Sequence, residues 1–289
     1  MVKMLPSVAM ESCFALKGGT AINLFVREVP RLSVDIDLVF IPLKPREESL
    51  KDIQNALTRI ADSISHTLPE AKVTSSSGIS PKLFVTKGDL LVKIEPNTVI
   101  RGLVFSDAKT RLTKSAEKLF QMSATMKVAS LADLYGGKLC AALDRQHPRD
   151  LFDVKLLLEN EGITSDIRKA FIIYLASHDR TMHEVLDPTI KDIKEIFDTE
   201  FTGMTTHPVK LSDLKDVQKR LGKLIRDSFT DAEKQFLLTF KKGEPQWELL
   251  DHAGIKDLPA LRWKLINIKK MSKQKLEAQV KKLQSVLGL

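Results

Sequence analysis

"ALKGGTAINLFVREVPRLSVDIDLVF", residues 15–40, decides how the first part of this chain folds. Two glycines and a threonine precede a run that reads as helix from Ala21 to about Val29, stopped by Pro30. "SVDIDLVF" then reads as a strand, with Asp35, Asp37 and Val39 on one face and Ile36, Leu38 and Phe40 on the other. The wholly apolar face belongs against a core. The other face presents two carboxylates about 7 Å apart at their Cα atoms. Like charges this close repel unless a cation lies between them, and Mg²⁺ takes hard oxygen ligands of this kind. In two-metal phosphoryl-transfer sites the ions stand about 4 Å apart, a span that a bridging carboxylate covers.

The glycines suit the same chemistry. Gly18 and Gly19 let a backbone approach a phosphate closely, N–H groups at a helix start favour anions, and Thr20 adds a hydroxyl donor. A third acid stands in "LLVKIEPN", where Val92 and Ile94 alternate with Lys93 and Glu95. If this strand lies beside the first, Glu95 shares a face with Asp35 and Asp37. Otherwise Lys93 and Glu95 are a solvated edge pair.

Elsewhere, apolar residues at Leu50, Ile53, Leu57, Ile60 and Ile64 make a helical stripe over Arg46 to Ile64. "KVTSSSGIS" is loop-like at its end, and "KLFVTKGDLLVKIE" reads as two strands joined at Lys87-Gly88-Asp89. Past residue 125 strand signals fade. "ASLADLYGGKLCAALDRQ" predicts a helix with Ser130 as N-cap and Asp133 in a capping-box position, and "RDLFDVKLLLENEG" a second ending near Gly162. Ser272 reads as another N-cap, ahead of a stripe of Leu276, Val280, Leu283 and Leu287. The expected fold class is α+β. A mixed β-sheet flanked by helices occupies residues 1–125, and a mostly α-helical domain occupies residues 126–289.

No apolar run approaches the roughly 20 residues of a membrane span, and the N-terminus lacks a signal peptide's apolar core, so a cytoplasmic protein is expected. Cys13 and Cys140 have neither disulfide-framework nor metal-site spacing. The net charge of +8 is unevenly placed. Residues 207–289 carry 18 Lys/Arg against 10 Asp/Glu, which out of 45 and 37 in all leaves 27 of each elsewhere. A neutral body with a basic C-terminal part suits a polyanion, though solvated helices or a docking face for an acidic protein have the same composition.

A Gly-Gly-Thr, a helix, an Asp-x-Asp strand and a third acid nearby resemble the polymerase-beta-type nucleotidyltransferases. Within that superfamily, "LKGGTAINLF…PRLSVDIDLVF" resembles the AbiEii/AbiGii family, the toxin half of abortive-infection and toxin–antitoxin pairs. "LYGGKLCAALDRQHPRDLFDVKLLL" is similar to that family's second signature, and "DHAGIKDLPALRWKLINI" more weakly to its C-terminal part.

The resemblance implies a nucleotidyltransferase-type sheet, with a helical domain that completes the cleft and has a basic C-terminal surface. It implies that Gly18, Gly19 and Thr20 line the triphosphate with Ser33 close by, and that Asp35 and Asp37 hold the metal ions with Glu95 as third acid. Lys138 would contact the nucleotide's phosphates, with Arg149 nearby, and Asp153 or Asp150 would complete the site. Arg149, Asp150 and Asp153 also suit a salt-bridge cluster at a helix start. The implied activity is Mg²⁺-dependent transfer of a nucleotide from an NTP, CTP or another pyrimidine nucleotide favoured, to an RNA, foremost a tRNA 3′ end. The implied partners are RNA and a cognate antitoxin, in phage defence or plasmid maintenance. Two alternatives are a protein or small-molecule acceptor, and an inactive relative that binds nucleic acid or antitoxin.

Overall fold

The computed structural model describes the whole chain, Met1–Leu289, and divides it into two compact units, Met1–Ser130 and Leu131–Leu289. In chain order the first unit runs α1 (Leu5–Ala9), β1 (Phe14–Lys17), α2 (Gly18–Ala21), β2 (Ile36–Phe40), α3 (Arg46–Thr67), β3 (Lys72–Ser76), β4 (Lys82–Lys87), β5 (Leu90–Asn97), β6 (Ala108–Arg111), α4 (Lys114–Phe120) and β7 (Thr125–Val128). The seven strands form one mixed sheet in the order β3-β4-β5-β2-β1-β7-β6. β2 pairs antiparallel to β1 and parallel to β5, and β3, β4 and β5 form an antiparallel meander.

Packing follows the apolar patterning. Ile36, Leu38 and Phe40 of β2 are fully buried, and the Phe40 ring meets its register partner Phe14 edge-on at 6.1 Å. On α3, Ile53, Leu57, Ile60 and Ile64 repeat at helical spacing, are fully buried, and hold that helix against β3 and β4. The β4–β5 turn uses Gly88 at φ +56°.

Two local expectations are corrected. The helix after the glycines begins earlier, at Gly18, continues as a π-turn over Ile22–Val26, and ends at Arg27, which is extended. Val29, buried and β-branched, then takes φ 55°, a strained conformation held by N–H bonds to the Asn23 and Arg27 carbonyls. The serine-rich stretch starts as strand β3, on a complete antiparallel ladder with β4 from Lys72 to Ser76, and its end, residues 77–80, is loop as expected. Asp35 lies one residue ahead of β2 instead of within it, because its carbonyl accepts from the Thr20 hydroxyl and so leaves the ladder.

The second unit is helical: α5 (Leu131–Asp144), α6 (Pro148–Glu159), α7 (Ser165–Ser177), α8 (Met182–Leu186), α9 (Lys194–Glu200), α10 (Leu211–Ser228), α11 (Asp231–Lys242), α12 (Pro259–Lys269) and α13 (Lys273–Leu287). The fold is thus α+β. α5 and α7 pack backbone to backbone at Gly136, where a Cβ would lie 2.8 Å from the main chain of Ala170. The neighbouring Gly137 faces open space. Asp133 accepts the buried Tyr174 hydroxyl at 2.8 Å, tying the same two helices. Thr230 and Glu233 form a full capping box on α11, and Arg168 grips the Glu233 carboxylate from α7. Ser272 caps α13, whose Leu283 and Leu287 are buried.

Candidate active site

Strand register builds the centre of the site. Lys17 on β1 stands opposite Asp37 on β2, and Asp37 stands opposite Glu95 on β5. Register partners project to the same face, so the three side chains form a row across adjacent strands. β4 extends the row, with Lys82 Nζ 2.7 Å from Glu95 Oε1. Its charges run plus, minus, minus, plus. Adjacent carboxylates destabilise each other, and the two flanking ammonium groups offset that repulsion. An open pocket of about 210 Å³ lies over the row, lined by Lys17, Asp37, Ser80, Glu95, Thr98 and Val99.

The glycine turn closes one side. Gly18 has φ +70°, and a Cβ there would collide with the Asp37 carboxylate. A Cβ on Gly19 would stand 2.7 Å from Arg31 Nη2 and 3.2 Å from Ser33 Oγ. The turn therefore brings bare backbone against Asp37 and against a guanidinium. Thr20 is fully buried, and its hydroxyl engages Ser33 Oγ at 2.8 Å as well as the Asp35 carbonyl. It ties the turn to the segment ahead of β2. Asn23 Nδ2 donates to the Gly19 carbonyl at 2.8 Å, and Arg31, itself buried, donates from Nη1 to the Leu32 carbonyl at 2.8 Å.

Asp37 and Glu95 are side by side, whereas Asp35 precedes the strand and is absent from the pocket lining. No three acidic, His or Cys side chains converge as a ready ligand set. The donors nevertheless suit Mg²⁺: adjacent hard carboxylates, one pressed against a glycine turn at positive φ, with Asp35 two residues upstream.

The second unit holds its own charged cluster. Lys138 on α5 is buried, and its Nζ lies 2.8 Å from Asp150 Oδ1 and 3.1 Å from Asp153 Oδ2, both on α6. His147 caps α6 by accepting from Arg149 N, which places Asp150 in the first turn and Asp153 one turn on. Arg145 reaches Asp150 Oδ2 at 2.8 Å. Burial raises the Asp150 pKa, but the Lys138 and Arg145 charges outweigh it and hold the carboxyl down at about 2. Arg149 stands apart from this cluster, facing Glu200 at 3.7 Å and the His147 ring.

Lys17, Lys82 and Arg31 escaped the sequence reading. Lys17 had one visible signal, a lysine ending an apolar run directly before the glycines. Lys82 looked like any strand-end lysine, and Arg31 like part of a loop.

The fold resembles that of MenT4, a nucleotidyltransferase toxin of Mycobacterium tuberculosis, with a TM-score of 0.60 at 14% identity over 97% of this chain and 90% of that one. No curated protein sequence matches the chain. Residues 1–267 match the profile of the nucleotidyl transferase AbiEii toxins of type IV toxin–antitoxin systems, and the chain belongs to that family of nucleotidyltransferases.

Proposed function

We propose that this toxin transfers a nucleoside monophosphate from an NTP to the 3′ end of an RNA, foremost a tRNA, with CTP or another pyrimidine nucleotide as donor. The observation that carries this reading is the Asp37–Glu95 pair, set between Lys17 and Lys82 beside the Gly18–Gly19 turn. Asp35, Asp37 and Glu95 would hold Mg²⁺, which when bound neutralises phosphate charge and acidifies the acceptor hydroxyl. The chain's own groups do the rest. The glycine turn and Arg31 cradle the triphosphate, and Lys17 adds positive charge beside Asp37. The acceptor's 3′ oxygen attacks the α-phosphorus and gives its proton to the Glu95 carboxylate, which Lys82 orients. The new phosphorus–oxygen bond forms as the α–β bridging bond breaks, and pyrophosphate leaves. Lys138, which the resemblance assigns to the nucleotide's phosphates, has its charge fixed by Asp150 and Asp153.

RNA is favoured as acceptor because the 18 Lys/Arg against 10 Asp/Glu of residues 207–289 supply the charge that phosphate contacts require. A cognate antitoxin, the partner that the family implies, would neutralise the activity. The test is incubation of the purified chain with each labelled NTP, Mg²⁺ and total RNA. Label should appear on RNA with the wild type and vanish with Asp37→Ala. Label on the protein itself, or incorporation that survives Asp37→Ala, would refute the assignment.

A further inference from the structure

Arg101 is a buried cation with no counter-ion. It is 5% exposed, and its Nε and Nη1 are enclosed without a hydrogen-bond partner. The segment that carries it is firmly placed. The Asn97 side chain accepts from the N–H groups of Val99 and Ile100, and Gly102 N donates to the Phe40 carbonyl at the end of β2. The other charge acting on Arg101 is a second cation, Arg46. Burial and that neighbour both disfavour its protonated form, yet a guanidinium stays protonated in proteins. Arg46 is the first residue of the 22-residue α3, whose N-terminus carries positive partial charge and has no side-chain cap. Glu47 and Glu48, also in that first turn, are exposed and are not among the charges acting on Arg101. Enclosing two unmet donors on a cation forfeits their solvation with nothing in return, so such a group calls for an acceptor.

We propose that Arg101, Arg46 and the start of α3 form a phosphate-binding site, and that its ligand is a backbone phosphodiester of the RNA acceptor. Arg46 Nη1 donates to the Thr98 carbonyl at 3.3 Å, and Thr98 lines the pocket that holds Asp37 and Glu95. The site thus adjoins the reacting centre without sharing its carboxylates. The phosphate chemistry stands on the arginines alone, whereas the RNA assignment rests on the nucleotidyl-transfer reading.

Two measurements separate these layers. Thermal unfolding is followed for wild type, Arg101→Met and Arg46→Gln in inorganic phosphate and in chloride at equal ionic strength. Phosphate should raise the wild-type midpoint and leave Arg101→Met unmoved, and in chloride Arg101→Met should melt no lower than wild type. Equal stabilisation of all three proteins would overturn the site, as would a lower chloride midpoint for Arg101→Met with phosphate still effective. Should Arg101→Met fail to fold, Arg46→Gln is held to the same phosphate criterion. Steady-state transfer is then measured with RNA and NTP varied separately. The KM for RNA should rise about tenfold in both variants, with the salt slope reduced by about one, while the KM for NTP holds. A rise confined to NTP would overturn the acceptor assignment. Absence of transfer in wild type would overturn the catalytic reading and leave the phosphate titration to judge the site.

Discussion

Gly18 concentrates the residue-scale logic of the site. Its φ of +70° is open to glycine at little cost, and its missing side chain is what lets Asp37 stand where it does. Gly18→Ala is expected to cost about 1–2 kcal/mol in backbone strain alone, visible in denaturant unfolding. It should also suppress nucleotide incorporation, because the new methyl displaces the Asp37 carboxylate. Lys82 makes the opposite prediction. Its pair with Glu95 is partly exposed on both sides, so Lys82→Met should shift stability by less than about 1 kcal/mol. Incorporation should nonetheless fall, since Glu95 loses the contact that orients it. A drop in melting midpoint that matched the loss of activity would show Lys82 to be merely structural.

Among the elements, α5 and α7 give the sharpest contrast, because adjacent glycines have opposite surroundings. Gly136→Ala drives a methyl into the Ala170 backbone and should destabilise the protein by about 1–3 kcal/mol. Gly137→Ala meets nothing and should stabilise it by roughly 0.4–1 kcal/mol through the unfolded chain. Chemical denaturation of the two variants checks both signs. Other helices show where the sequence was readable. Long periodic segments such as α3, and capped ones such as α13, announced themselves through apolar spacing and Ser272. β1, β6 and β7 did not, being four residues each and defined by the neighbours they pair with. At the site, alternation correctly put the apolar residues of β2 in the core and Asp37 on the other face. It misplaced Asp35, whose departure from the ladder depends on a threonine 15 residues earlier, and it could not reveal Lys17 or Lys82, which only register brings to the carboxylates.

For the molecule as a whole, charge bears on stability and on the proposed RNA acceptor. The Asp150 carboxyl, held at about 2 against an ordinary 3.8, binds its proton less readily folded than unfolded. Its contribution, roughly 2 kcal/mol, is therefore complete above about pH 4 and lost as pH falls towards 2. Asp150→Asn should flatten that limb of the stability–pH curve and also destabilise the protein at neutral pH, by leaving Lys138 with one carboxylate fewer. At constant pH, added salt should weaken RNA labelling steeply, with a linear fall of log affinity against log salt. No helix is long and apolar enough to cross a membrane. The parallel pairing of β2 with β5 sets when the two carboxylates can come together during synthesis. Asp37 and Glu95 face each other only after the ribosome has delivered the whole of α3 and the meander between them, and a parallel partner cannot be reached through a simple hairpin. A chain that stops short of β5 lacks the Glu95 half of the proposed centre, so labelled-nucleotide incorporation by such a truncation is expected to be nil.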